Sequence, residues 1–268
     1  MVEANGLRFH VRDEGSGAPV ILLHGFPDTG DLWRHQVPSL VHDGFRAIVP
    51  DMRGRGRSDR PAAAEAYRLS TIVRDVTGIL DALKVERAHV VGHDWGAAVA
   101  WLVAALAPER VDRLVVLSVG LPGATTHSTL EALQKGWYRI LILFEGVSEA
   151  LLQRDNWYLL RELLRGAADT ESYIKILSEP GALTAGLNWY RANLSPESIV
   201  FPQARLPTIQ ARTLGIWSTG DLYLTEEAMV RSKERVASGW RYERFEGSHW
   251  IPLDQAERLN ALLLEFLS

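Results

Sequence analysis

The sequence contains no cysteine. Disulfides, thiolate nucleophiles and cysteine-ligated metals are excluded, and a reducing cytoplasm is the expected compartment. Excess positive charge is also missing: a formal net charge of -4 over 268 residues provides neither a field for nucleic acid nor a polybasic patch for a membrane. No apolar run approaches membrane-spanning length. The opening Met1-Val2-Glu3-Ala4-Asn5-Gly6 lacks a charged and then apolar pattern, so no leader is expected. There are no repeats, low-complexity tracts or heptads. What is left is a chain long enough to bury a large core, in one main domain carrying a smaller one.

The most informative stretch is Val90-Val91-Gly92-His93-Asp94-Trp95-Gly96. An apolar run over residues 88–91 enters Gly-His-Asp-Trp-Gly, and an Ala/Val/Leu segment to about residue 107 follows, closed by Pro108. This reads as strand, sharp turn, helix. In a nucleophile elbow, G-x-Nu-x-G, the central residue adopts a strained backbone that lifts its side chain above the sheet edge, and the glycines prevent clashes around it. Here that residue is Asp94. A carboxylate needs no base to remove its proton, and the N-terminus of a helix favours its ionised form, so attack on carbon with formation of an ester is expected. An Asp that opens a helix is ordinarily only an N-cap. Glycines on both sides and a fully apolar strand before it favour the reactive reading.

Elsewhere, Asn5-Gly6 reads as a hairpin turn, and residues 20–23 and 47–49 read as strands buried on both faces, as in a parallel sheet. Ser70 is placed to cap a helix whose Ile72, Val73, Val76, Ile79, Leu80 and Leu83 follow helical spacing. Strand-and-helix alternation predicts a mostly parallel sheet with right-handed crossovers. It stops after the strand at residues 114–119. Residues 123–202 are helical in character and rich in Trp, Tyr and Leu, and are expected to form a cap over the C-terminal edge of the sheet. Pro202 and Pro207 mark the return. Strands at 214–217 and 241–245 and helices at about 226–236 and 256–267 complete a core of residues 1–122 and 203–268.

Acyl-type chemistry needs a nucleophile, a base, a group that orients the base, and donors for an oxyanion. A single His is more often structural, and the chain has eight. Only His249, in Gly247-Ser248-His249-Trp250, falls in the loop after the last strand, where the order nucleophile, acid, histidine puts the base. Asp221, in Thr219-Gly220-Asp221, directly follows a buried strand. Gly-Asp is also an ordinary turn, but the alternative position for the acid holds Val119-Gly120. The N–H groups of Trp95 and of Phe26, in His24-Gly25-Phe26-Pro27, are the expected oxyanion donors. The loop Arg53 to Arg57 lacks the Gly-Lys-Ser/Thr of a phosphate-binding loop, and its glycines suit a tight turn.

His24-Gly25-Phe26-Pro27, Asp51-Met52-Arg53-Gly54-x-Gly56-x-Ser58-Asp59 and Gly92-His93-Asp94-Trp95-Gly96 together resemble the α/β-hydrolase-fold epoxide hydrolases over nearly the whole chain. The elbow alone is shared with haloalkane dehalogenases. Leu187-Asn188-Trp189-Tyr190-Arg191 resembles the second cap tyrosine motif of the epoxide hydrolases. Trp137-Tyr138, followed by Phe144-Glu145-Gly146-Val147-Ser148-Glu149, resembles the region of the first, with Tyr158 as a nearby competitor. The resemblance implies that Tyr138 and Tyr190 donate to the epoxide oxygen, that Asp94 forms the ester, and that His249 with Asp221 activates water. A phenol is a suitable acid in an apolar cleft, where a lysine or arginine is costly to bury.

The expected partners are a small apolar or aryl epoxide and water, without metal or cofactor, in a monomer or homodimer. Phe26, Pro27, Trp95, Trp137, Trp189 and Trp250 are expected to contact the substrate. Three rivals share the fold. A haloalkane dehalogenase carries Asn where Phe26 stands, and a fluoroacetate dehalogenase carries Arg where Trp95 stands. The third is a ligand-binding homologue without turnover.

Overall fold

The computed structural model describes residues 1–125, 127–201 and 206–268. A short hairpin opens the chain. β1 (Val2–Ala4) and β2 (Leu7–Phe9) pair antiparallel around Asn5-Gly6, both of which have positive φ. β3 (Val11–Glu14), β4 (Pro19–Leu23), α1 (Gln36–His42), β5 (Arg46–Pro50), α2 (Leu69–Ala82), β6 (Ala88–His93), α3 (Trp95–Leu106) and β7 (Val111–Leu117) follow. Among the described residues six helices then succeed one another: α4 (Leu130–Lys135), α5 (Tyr138–Ile142), α6 (Val147–Leu163), α7 (Thr170–Leu177), α8 (Ala182–Arg191) and α9 (Pro196–Val200). The chain returns through β8 (Arg212–Ser218), α10 (Glu226–Arg231), β9 (Trp240–Phe245), α11 (Ile251–Asp254) and α12 (Ala256–Leu267). Among the described residues, no helix is long and apolar enough to cross a membrane.

One sheet of seven strands, in the order β3-β5-β4-β6-β7-β8-β9, organises the core. Every pairing in it is parallel except that of β3 with β5. All six residues of β6 are buried, as befits a central strand covered on both faces. Parallel pairing has a direct consequence for function: the loops after β4, β6, β8 and β9 all emerge at one edge of the sheet. That edge receives Phe26, Asp94, Asp221 and His249, which are distant in sequence.

α2 buries Ile72, Val73, Val76, Ile79 and Leu80 on its apolar face. Ser70 is not its cap. The helix starts at Leu69, its N-cap Arg68 makes no side-chain bond, and the Leu69 N–H donates instead to Asn193 Oδ1 at 2.8 Å. Tertiary contact thus satisfies a helix end that local sequence was expected to satisfy. A helix expected over residues 150–164 is α6, which begins three residues earlier, at Val147. It is broken at Arg154–Trp157, where Asp155, Asn156 and Trp157 take left-handed backbone angles. The expected boundary at residues 202 and 203, Pro202 included, lies outside the described residues.

Candidate active site

Asp94 has φ 53° and ψ -123°, a strained conformation for a residue with a Cβ, and β6 and α3 hold it there. The crossing is close. A Cβ on Gly92 would meet the Gly96 carbonyl oxygen at 2.3 Å, and one on Gly96 would meet that of Leu23 at 2.1 Å. The Phe26 N–H donates to Asp94 Oδ1 at 2.8 Å, and the Trp95 N–H also bonds the carboxylate. Gly25 permits this approach, since a Cβ there would lie 2.2 Å from Asp94 Oδ1. His24 fixes the same loop from behind: its Nε2 accepts the Met52 N–H at 2.9 Å and its Nδ1 donates to Gly25 O at 2.9 Å. Burial lowers the His24 pKa to about 4, so the ring stays neutral and keeps that tautomer.

The loops after β8 and β9 are laced together by Thr219 N–H to Phe245 O at 2.9 Å and Gly220 N–H to Gly247 O at 3.0 Å. His249 Nδ1 consequently lies 2.7 Å from Asp221 Oδ2, and His249 Nε2 lies 3.7 Å from Asp94 Oδ2. The Tyr223 and Leu224 N–H groups donate to Asp221 Oδ1 at 2.8 and 3.0 Å. Burial alone would raise the Asp221 pKa, but the imidazole and these donors outweigh it and lower it. For His249 burial acts downward, yet Asp221 and Asp94 prevail and raise its pKa to about 9. Burial also raises the Asp94 carboxyl, against the pull of His249 and of the two backbone donors.

Across a narrow cavity of about 40 Å³ the helical insertion presents Tyr138 and Tyr190, with their ring centroids 6.1 Å apart. Burial raises both phenol pKa values, so both remain protonated hydrogen-bond donors. Ile142, Leu152, Leu160, Leu163, Leu164 and Leu187 make the rest of this lining apolar. Arg191 sets the spacing of the phenols: it forks onto both oxygens of Glu149 at 2.7 Å and donates to Ser148 Oγ at 2.7 Å and to Ile142 O at 3.0 Å. The helices bearing Tyr138 and Tyr190 are tied together by one guanidinium.

Of the expected contact residues, Phe26 and Trp250 line the cavity, and Trp95 lines the space adjoining it. Trp137, Trp189 and Pro27 do not line it. Trp137 is 47% exposed: the helical turn that points Tyr138 inward places its neighbour about 100° away. Trp189 is buried behind Trp95 and donates its Nε1 to Arg53 O at 3.1 Å. Tyr158, the competitor for the first cap phenol, is 62% exposed. The loop Arg53 to Arg57 binds itself rather than a phosphate: Arg53 forks onto Asp75 at 2.6 and 2.7 Å, and Asp51 accepts the Gly30 and Arg57 N–H groups.

Three neighbours of the site escaped the sequence reading. Tyr223, two residues after Asp221, packs its ring 5.0 Å from His249 and 5.9 Å from Tyr138. His93, inside the elbow, donates from Nε2 to His249 O at 2.9 Å, and burial lowers its pKa to about 3. Asp28, directly after Pro27, is buried, accepts the Tyr173 hydroxyl at 2.6 Å and has its pKa raised by burial to about 7. Only the adjacency of Asp28 to the Phe26 loop could have signalled it. Among the described residues, no cluster of three or more His, Asp or Glu could hold a metal ion.

A family model described as alpha/beta hydrolase fold matches residues 18–256. Epoxide hydrolase A of Mycobacterium tuberculosis is 33% identical over 100% of this chain and 96% of its own length. Epoxide hydrolase 4 of Mus musculus is 30% identical over 99% of this chain and 78% of its own length. The crystal structure of epoxide hydrolase A from Mycobacterium thermoresistibile superposes with a TM-score of 0.84 at 28% identity, covering 99% of this chain and 96% of that one. The inhibitor complex of Bacillus megaterium epoxide hydrolase gives 0.87 at 25% identity, covering 99% of each. With a parallel sheet that gathers Asp94, Asp221 and His249 at one edge, the chain belongs to the α/β-hydrolase fold family, among its epoxide hydrolases.

Proposed function

We propose that this enzyme converts an apolar or aryl epoxide to a vicinal diol through a covalent ester on Asp94. One observation carries the reading: the Asp94 carboxylate faces two buried, protonated phenols across an apolar cavity, with His249 3.7 Å from the same carboxylate. Asp94 Oδ1 is occupied by the Phe26 N–H, which leaves Oδ2 free to attack. Oδ2 bonds to a ring carbon as the C–O bond of the epoxide breaks, and the departing oxygen takes a proton from one of the phenols of Tyr138 and Tyr190, which is restored by the proton that His249 then gives up. The helical insertion acts as a cap that supplies these donors and excludes water.

Ester formation removes the charge of Asp94. That charge was helping to hold the proton on His249, so the imidazole becomes a stronger acid and a neutral base is generated when it is needed. His249 then takes a proton from water as the water attacks Asp94 Cγ. The negative charge develops on Oδ1, where the Phe26 N–H already points, and the Trp95 N–H bonds the same carboxylate. As the tetrahedral intermediate collapses, its bond from Cγ to Oδ2 breaks and Oδ2 takes the second proton of the water; the diol leaves with Oδ2, and the oxygen of the water remains on the Asp94 carboxylate. Nothing in this cycle calls for a metal or cofactor; epoxide and water suffice, in the cytoplasm.

The test is to trap the ester. His249→Gln incubated with styrene oxide should accumulate an adduct on Asp94, detected by peptide mass spectrometry; a folded variant with no adduct overturns the mechanism. Replacing Tyr138 and Tyr190 together by Phe should reduce ring opening by about 10³-fold or more, the scale of general-acid catalysis. Diol production persisting in the double variant removes the phenols from the mechanism.

A further inference from the structure

The space at Asp94 is asymmetric. On the leucine side it is narrow, at about 40 Å³. On the other side of the Asp94 carboxylate, past Trp95, it continues as a neck of about 130 Å³ between Ala98, Val119, Leu194 and Leu224. The neck shares Asp94, Tyr138 and Tyr190 with the narrow cavity. It shares Trp95, Leu194 and Arg139 with a larger cleft of about 380 Å³ between the loop after β7 and the cap. Room for a substrate of any length therefore lies on the Trp95 side.

That cleft differs in chemistry from the leucine side. Arg139 lines both neck and cleft, and among the described residues no carboxylate pairs with it; its Nε and Nη2 donate only to the carbonyls of Gly136 and Ala132, at 3.2 and 3.3 Å. Ser118, at the end of β7, also lines the cleft, is 1% exposed, and its Oγ has no hydrogen-bond partner. A buried hydroxyl without a partner is costly, and an arginine that has only carbonyls can still offer a fork to an anion. Glu227, the acid in the cleft lining, faces Arg231 at 3.6 Å.

Resting on the epoxide-opening chemistry above, we infer that the substrate is apolar only around its reacting ring: it is an amphiphilic epoxide with a short substituent on the leucine side and a long arm on the other. The long arm passes Trp95 and ends in a carboxylate held by Arg139 and Ser118. Arg139 and Ser118 here determine specificity and take no part in the bond changes at Asp94.

The experiment compares styrene oxide with terminal epoxides that carry an ω-carboxylate on alkyl chains of increasing length, and with the methyl esters of those acids. In the wild-type enzyme the acid of optimal length should exceed its ester by at least tenfold in kcat/KM, mostly through KM. Arg139→Gln should erase that preference. Leu224→Trp, which fills the neck, should lower the ratio of long-chain acid to styrene oxide by at least tenfold. Styrene oxide turned over while acid and ester react alike, or a preference that survives Arg139→Gln, overturns the subsite and leaves the epoxide reading intact. No turnover of any epoxide overturns the epoxide reading instead, and calorimetric binding of the ω-carboxylate diols then decides the subsite alone. Binding weakened at least tenfold by Arg139→Gln sustains it, and unaltered binding refutes it.

Discussion

His249 lies between two carboxylates, and its proton affinity is the sum of burial acting downward and of Asp221 and Asp94 acting upward. Asp221 Oδ2 lies at 2.7 Å and Asp94 Oδ2 at 3.7 Å, and in the proposed cycle only the second partner loses its charge, on esterification. Asp94→Asn mimics the neutralised state. The His249 titration, followed by imidazole NMR, should then move below the wild-type value of about 9. An unmoved titration would mean that the Asp94 charge does not gate the base. At this scale much was legible. Asp94, His249 and Asp221 each end a recognisable strand, and Tyr190 sits in a five-residue motif. Tyr223, His93 and Asp28 were not legible, because their roles come from rings and carbonyls contributed by other loops. The contact role expected of Trp137 fails for a local reason: with Tyr138 turned inward, its neighbour points about 100° away and stays 47% exposed.

Among the elements, one ion pair ties the start of α6 to the end of α8. Glu149 Oε2 accepts the Gly146 N–H at 2.9 Å at the start of α6, while both its oxygens hold Arg191 at the end of α8. Burial alone would raise the Glu149 pKa, but Arg191, with further hydrogen bonds, lowers it to about 2. A folded-state pKa below the ordinary 4.5 means that this stabilisation is present above pH 4.5 and is lost as pH falls toward 2. Glu149→Gln should cost about 2 kcal/mol at neutral pH, since the pair is only partly buried, and the deficit should vanish by pH 2. Thermal denaturation at a series of pH values checks this; a deficit independent of pH would rule out the ion pair as its source. The existence of α2 was readable from periodicity, yet neither its long-range cap nor the break in α6 was. Asn193 reaches Leu69 from 124 residues away, and no local pattern encodes that.

For the molecule as a whole, the helical insertion, proposed above as a cap, meets the rest of the chain over polar contacts between long-separated segments. Tyr173 on α7 donates to Asp28 beside the Phe26 loop, Arg34 forks onto Asp169 at 2.7 and 3.1 Å, and Arg60 meets Glu179 at 2.6 Å. The Tyr173 bond is the buried one of the three. Tyr173→Phe leaves an acceptor at Asp28 without its donor, at a cost of about 1–2 kcal/mol. The loss should fall on docking of the cap. Hydrogen exchange should quicken in α7 and α8 while β4, β6 and β8 keep their protection, and uniform quickening would show that cap and core unfold as one unit.

The sequence by itself determined the parallel sheet, the elbow and the residue types of the triad, because these depend on short-range patterns: apolar runs of strand length, glycines at a crossing, and residues that directly follow strands. It also carried the resemblance to epoxide hydrolases. Only the tertiary structure decided which side chains face Asp94, what sets the proton affinity of His249, and that free space opens past Trp95 rather than toward the leucines. Those properties are sums over neighbours brought together from distant segments, so they exist only once the chain has packed.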